Sequence, residues 1–231
     1  MTADNQIQKT HRPIRSFVLR QGRLTEGQQL ALDNYWQLYG LEPQTPLNPT
    51  QVFGRDAPIV LEIGFGNGES LALMAKENPQ FNYIGIEVHK PGVGHLLGLI
   101  HNRQLSNVRV YCHDAIEVLQ HCIPNHSLNR LQLFFPDPWH KKKHHKRRIV
   151  NNNFLDLLHT KLTQDGVFHV ATDWEHYAEW ILDLLKANNH WQNQSETNDY
   201  CPRPDYRPLT KFEQRGIRLG HGVWDLLFQI K

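Results

Sequence analysis

Cysteine is scarce in this 231-residue chain: Cys112, Cys122 and Cys201 form an odd set without C-x-x-C spacing, which excludes a disulfide framework and a zinc knuckle. No apolar run approaches the roughly 20 residues that cross a bilayer. The amino terminus MTADNQIQKTHR also lacks the apolar core of a signal peptide, so a cytoplasmic protein with reduced, structural thiols is expected. Metal ligation is not expected either. Of the 15 histidines, His140, His144 and His145 lie closest together, but they sit among cations and no acid or cysteine completes a ligand set. Internal repeats are absent, and one basic run is the only low-complexity stretch. What remains is an ordinary globule, 39% hydrophobic and 21% charged, of a length that suits one α/β domain with an extension.

The net charge of +2 conceals an asymmetry. Residues 141–148 hold six Lys/Arg and two His, whereas the rest of the chain has 19 Lys/Arg against 23 acids. A mildly acidic body carrying one cationic loop suits a polyanion, with nucleic acid foremost. The run follows the stretch Phe134-Phe135-Pro136-Asp137-Pro138-Trp139. Prolines 136 and 138 stop a strand ladder and restrict the residue before each, so Asp137 is held at a strand's carboxyl end. Open α/β sheets bind ligands at that edge. An acid and an indole beside a basic run offer hydrogen-bond acceptance and base stacking, which a solubility patch does not need.

From Ile59 onward, short apolar runs alternate with helical patterns, the signature of βαβ units and a mostly parallel, Rossmann-like sheet flanked by helices. Strands are expected at 59–63, 83–87, 108–111, 131–135, 167–171 and 223–230. Helices are expected at 69–78, 94–105, 116–122 and 154–162, with another carrying Tyr177, Trp180, Ile181, Leu184 and Leu185 at helical spacing. Upstream, Thr25 and Gln28 read as a capping box for a helix ending at Gly40, and residues 42–58 read as a linker. The expected division is a basic arm, helix and linker over 1–57 and the main domain over 58–231. Lys9, Arg12, Arg15, Arg20 and Arg23 make the first part a candidate for ordering on a polyanion.

The first strand leads into Gly64-Phe65-Gly66-Asn67-Gly68, whose glycines permit a tight turn and close backbone approach to a ligand. The spacing G-x-G-x-G departs from the dinucleotide fingerprint G-x-G-x-x-G, and Glu62 just before it would repel a pyrophosphate. A cationic ligand fits that sign. S-adenosylmethionine carries a sulfonium and an ammonium and no phosphate. Glu87, at the end of the second strand, is placed for ribose hydroxyls, and Asp114, beyond the third, for an adenine amino group. Glu62, Glu87, Asp114 and Asp137 thus follow four successive strands.

With these motifs in view, the chain closely resembles the bacterial tRNA (guanine-N7)-methyltransferases. The likeness rests on RQGRLT (20–25), LEIGFGNGES (61–70), GIEVH (85–89), FFPDPWHKK (134–142), ATDWE (171–175) and TKFEQRG (210–216). It implies methyl transfer from S-adenosylmethionine to N7 of a guanosine in the tRNA variable loop, by a monomer or homodimer. It further implies Glu62, Gly64, Gly66, Gly68, Glu87, Asp114 and Asp137 as cofactor contacts, with Asp137 also the active-site acid. Lys141, Asp173, Thr210, Lys211, Phe212 and Glu213 are implied as substrate contacts, while the charge of the basic run makes Lys143, His144, His145, Lys146, Arg147 and Arg148 the expected RNA footprint. Taken alone, Lys211 and Glu213 also read as a surface pair. Two other readings remain open at this point. One is a methyltransferase acting on an exocyclic amine, since a proline-containing tetrad after the fourth strand serves those enzymes too. The other is a noncatalytic RNA-binding module.

Overall fold

Strands β2 (Ile59–Ile63) and β3 (Asn82–Ile86) are buried at every position, as strands covered on both faces must be. The computed structural model describes residues 15–18 and 22–231, apart from the side chains of Lys211, Phe212 and Ile217. In chain order its elements are α1 (Glu26–Tyr39), β1 (Gly40–Leu41), α2 (Pro49–Phe53), β2, α3 (Glu69–Glu77), β3, α4 (Lys90–Asn102), β4 (Val108–Tyr111), α5 (Ala115–His121) and β5 (Leu128–Phe134). A 3-10 turn (Lys142–Arg147) follows, then α6 (Asn152–Lys161), β6 (Leu162–Thr172), α7 (Glu175–Ala187), β7 (Trp191–Asn193), α8 (Lys211–Arg218) and β8 (Trp224–Ile230).

The strands form one sheet in the order β1-β4-β3-β2-β5-β6-β8-β7, parallel from β1 to β6, with β8 antiparallel to both β6 and β7. The chain steps away from β2 in one direction through β3 and β4, and in the other through β5 and β6. The order therefore reverses between β2 and β5, and a crevice opens outside their carboxyl ends. Side-chain alternation along the strands divides the core into two layers. Leu61, Leu131 and Leu133 face α5, α6 and α7 through Leu119, Leu155 and Ile181, while Val60, Tyr83 and Val110 face α3 and α4 through Leu71 and Leu96. Each such buried aliphatic side chain contributes about 1.5–3 kcal/mol.

Several expectations move. The capping box at α1 is present: Gln28 N–H donates to Thr25 Oγ1 (3.3 Å) and Thr25 N–H to Gln28 Oε1 (2.9 Å). Helix α1 packs along α4, and Gly40 does more than end it, since Gly40-Leu41 pairs with Val110-Tyr111 as an edge strand. The segment read as linker contains α2, capped by Asn48 with Pro49 in its first turn. Helix α4 starts at Lys90 rather than Gly94, because Pro91 is pre-set for a helix's first turn. Of the basic residues in the arm, Lys9, Arg12 and Arg20 lie outside the described residues. No described helix is long and apolar enough to cross a membrane.

Candidate active site

Two cavities meet at the crevice. The inner one, about 260 Å³, is walled by Ile63, Gly64, Ile86, Ala115, Leu133 and Ile149; the outer, about 600 Å³, by His89, Trp139, His140, Lys141 and His144. Glu87, Asp137 and Phe17 line both.

Strand β2 supplies Ile63 to the inner cavity, while Glu62, the residue before it, lines neither. Glu62 points to the face of Val60, and its register partners are Gly85 on β3 and Gln132 on β5. It is 3% exposed, and its Oε2 has no hydrogen-bond partner among the described residues. Burial, with repulsion from Glu87 added, pushes its carboxyl up to about 8. The turn that follows takes positive φ at Gly64 (74°), Gly66 (60°) and Gly68 (77°), a region that side chains disfavour. A fourth glycine, outside the G-x-G-x-G motif, completes it. Gly92, in the first turn of α4, lies so close to the Gly66 carbonyl that a Cβ there would overlap the oxygen. The K-P-G-V-G spacing at 90–94 was the only available signal.

Glu87 closes the turn from β3. Its Oε2 accepts from Gly66 N–H (3.1 Å), and its Oε1 accepts from Val88 N–H (2.7 Å) and His89 N–H (3.0 Å). Three of the roughly four acceptor sites of a carboxylate are thereby used. Asp114 is the N-cap of α5, where Oδ1 accepts from Ile116 N–H (2.9 Å). It lines a neighbouring cavity of about 300 Å³, which shares Ser16 and Ile149 with the inner one.

Asp137 stands differently. Phe135 (φ 51°) and Trp139 (φ 48°) bracket Pro136-Asp137-Pro138 with left-handed backbone, so two prolines and two strained residues hold the acid in place. Its carboxylate is exposed and makes no hydrogen bond or ion pair with a described residue.

The basic run divides in two. Arg148, expected in the RNA footprint, is 2% exposed, donates to the Pro138 carbonyl (2.9 Å), and lies over Tyr177 (4.7 Å) and Trp180 (5.2 Å). Arg147 is half-buried, stacked on Trp139 at 4.0 Å, and donates to the carbonyls of Arg15 (3.1 Å) and Phe17 (2.9 Å). Trp139 Nε1 donates to the Ser16 carbonyl (3.1 Å). One indole face is thus covered, and the described part of the amino-terminal arm is strapped across both cavities. Lys141, Lys143 and Lys146 are exposed, and His144 and His145 are half-buried.

His140 packs edge-on to Trp174 at 4.0 Å, and Asp173 lies half-buried beside that pair, after β6. Thr210 is the residue before α8, whose Oγ1 accepts from Glu213 N–H (3.1 Å). Glu213 is buried with both oxygens on Arg207, which excludes the surface-pair reading for it. The side chains of Lys211 and Phe212 lie outside the described residues.

A buried carboxylate with an oxygen left unpartnered among the described residues, beside a second acid and next to a glycine turn at the switch point of a parallel sheet, fits a cationic adenosyl ligand and not a pyrophosphate. Solved structures of the same architecture include the 16S rRNA methyltransferase KamB (TM-score 0.56, 15% identity, 78% of this chain and 91% of that one). Another is the 16S rRNA (adenine(1408)-N(1))-methyltransferase from Catenulisporales acidiphilia, solved with cosubstrate SAM (TM-score 0.54, 13% identity, 82% and 95%). Fold and site together define an S-adenosylmethionine-dependent methyltransferase, and residues 56–226 match the family described as putative methyltransferase. The tRNA (guanine-N(7)-)-methyltransferases of Yersinia enterocolitica (63% identity over 221 residues, 95% of this chain and 92% of that one) and Shewanella amazonensis (62% over 220, 94% and 92%) are closer still. The chain belongs to the tRNA (guanine-N7)-methyltransferase family.

Proposed function

We propose that the protein transfers the methyl group of S-adenosylmethionine to N7 of a guanosine in the variable loop of tRNA, in the cytoplasm. The observation that carries this reading is Asp137, an acid without a hydrogen-bond or ion-pair partner among the described residues, held rigidly where an apolar inner cavity meets a polar outer one. The donor supplies an electrophilic methyl on a cationic sulfur. Glu62 and Glu87 match its charge, Gly64 and Gly66 leave open space against the backbone, Gly68 seats the turn on Leu96 of α4, and Asp114 faces its base. A shared Ser16–Ile149 wall supports the same ligand reaching both Asp114 and Glu87. If Glu87 is to accept from both ribose hydroxyls, one of its three backbone donors must release it.

Guanine N7 carries a lone pair and no proton, so attack on the methyl needs no general base. The protein's task is alignment, which can lower a barrier by about 7–11 kcal/mol. Asp137 accepts from guanine N1–H and the exocyclic amine, turns N7 toward the inner cavity, and stabilises positive charge developing on the ring. Lys141 and His140 wall the outer cavity, and His140 packs on Trp174, the residue after Asp173. An exocyclic amine would require a group to receive its proton. Transfer to tRNA in which the variable-loop guanosine is replaced by adenosine tests the reading; label incorporated equally into both tRNAs contradicts it.

The Glu62 shift predicts a pH dependence. Its carboxyl holds a proton at neutral pH in the free protein, and a neighbouring cation favours the ionised form. Donor binding therefore expels a proton, and affinity rises with pH until about 8. Calorimetry in two buffers of different ionisation enthalpy should detect release by the wild type and less by Glu62→Gln; equal values for both would overturn the assignment. The same shift costs the free protein stability as pH rises from the ordinary glutamate range through about 8, because the unfolded chain ionises first.

Phosphate contact falls to the exposed lysines. Replacing Lys143 and Lys146 with alanine should flatten the slope of log affinity against log salt by about 0.7–0.9 per lysine. Arg148→Ala should lower the melting temperature and leave that slope alone. Filter binding across a salt series separates the two, and an unchanged slope in the lysine variant would remove that loop from the footprint.

A further inference from the structure

A belt of buried polar side chains crosses the sheet on the side of Val60, and beyond Glu62 the chemistry above makes no use of it. Register aligns Glu62 on β2 with Gln132 on β5, and Gln132 with His169 on β6. Gln132 is fully buried, and both of its amide atoms lack a partner among the described residues. His169 Nε2 pairs with Asp225 Oδ1 on β8 (2.7 Å) and its Nδ1 with the Tyr206 hydroxyl (2.9 Å). Arg130 stacks on the Tyr206 ring at 3.7 Å. The belt ends at Arg207, 2% exposed, which donates from Nε to Asp225 Oδ1 (2.7 Å) and from Nη2 to Oδ2 (2.9 Å). It also forks onto Glu213, with Nη1 to Oε2 (2.8 Å) and Nη2 to Oε1 (2.7 Å).

Two consequences follow from that fork. Thr210-Lys211-Phe212-Glu213 spells a capping box, whose acid would ordinarily return to the amide of the capping threonine. Only the threonine's half forms, because the Glu213 carboxylate has turned to Arg207. The guanidinium also lies 5.8 Å from the ring centres of Phe134 and Phe135, the residues that lead into Pro136-Asp137. One side chain therefore ties the start of α8, the strand β8 and the base of the Asp137 loop together. A planar fork with five donors can satisfy two carboxylates at once, and a lysine cannot.

Building on the tRNA methylation read above, we propose that Arg207 is a positioning residue for methyl transfer: it fixes the Thr210 end of α8 against the Asp137 loop, and Glu213 is the anchor it grips rather than a contact for guanosine. Asp225 holds the guanidinium from the sheet side, and His169 and Tyr206 hold Asp225. Thr210, at the free end of α8, is the part of the motif this arrangement presents to the substrate.

The test compares wild type, Arg207→Lys, Glu213→Gln and the double variant in steady-state transfer to tRNA, with donor affinity by calorimetry and melting temperature measured on each. The wild-type rate tests the methylation reading itself, and the ratios among variants test Arg207. Each single variant should lose up to roughly 10²-fold in kcat/KM for tRNA, the scale of an ångström-sized misplacement. Donor affinity should stay near wild type, and the double variant should be no worse than the poorer single, as expected for groups acting as one unit. Arg207→Lys with wild-type kcat/KM and a lowered melting temperature would overturn the proposal. So would a loss in Glu213→Gln alone, which would make that acid a direct guanosine contact. Should Arg207→Lys fail to fold, Asp225→Asn decides, since it loosens the guanidinium from the sheet side and leaves Glu213 in place: wild-type kcat/KM there overturns the proposal, and a loss for tRNA with unchanged donor affinity supports it.

Discussion

Asp137→Asn should lower kcat for tRNA methylation by about 10²–10³-fold, the loss typical when one preorganised electrostatic partner is removed from an active site. The amide keeps the shape of the side chain and loses its charge. It also turns an -NH2 toward guanine, where N1–H and the exocyclic amine both need acceptors. Folding should be untouched, because Asp137 is exposed and makes no hydrogen bond with a described residue whose loss would be felt. Rapid-quench kinetics under single turnover should locate the loss in the transfer step, with an unchanged melting temperature. Full turnover by the variant would remove Asp137 from the chemistry.

The next largest effect belongs to a residue with no functional side chain. In Gly92→Ala the new methyl would overlap the carbonyl oxygen of Gly66, a backbone atom that cannot swing aside as a side chain can. Either α4 moves or the glycine turn does. Helix α4 is locked by Val93, Leu96, Leu97 and Ile100, all fully buried, so the turn shifts and breaks the 3.1 Å bond from Gly66 N–H to Glu87. Overpacking of this kind costs about 1–3 kcal/mol of stability. Donor affinity should fall at least as far, by about tenfold or more, since the turn holds Glu87, which lines both cavities. Gly98→Ala is the matched control: its Cβ would meet only Ala31 Cβ at 4.0 Å, an ordinary contact. Calorimetric titration of both variants checks this, and equal donor affinities would show that the α4 contact does not support the turn.

Much of this was legible in sequence because it depends on short-range signals. The run Ile59-Val60-Leu61 reads as a strand because consecutive apolar residues can be buried on both faces of a parallel sheet. Thr25 and Gln28 cap α1 through a four-residue motif that needs no tertiary partner. The positive-φ turn was readable from three alternating glycines, and its preference for a cation from the sign of Glu62. Illegible features depended on a partner far along the chain. Arg148 looks like any other member of a cationic run, and only the folded chain brings Tyr177 and Trp180 over it. Nothing near Trp139 announces a hydrogen bond to Ser16, and nothing near Arg147 announces the carbonyls of Arg15 and Phe17. Arg207 is the extreme case. A lone arginine between prolines reads as solvated, yet it is buried because Asp225 and Glu213 reach it from different elements. Helix α8, missed from its weak apolar pattern, is held by that contact.

The measurement that bears most directly on the account is transfer of labelled methyl from S-adenosylmethionine to unmodified tRNA by the purified protein, followed by mild reduction and aniline treatment, which cleaves RNA at N7-methylguanosine. Scission at a variable-loop guanosine, in step with label incorporation, is the predicted result. Label that resists cleavage would mean that the methyl had gone to another atom, and would contradict a site built to align a base-free N7 attack.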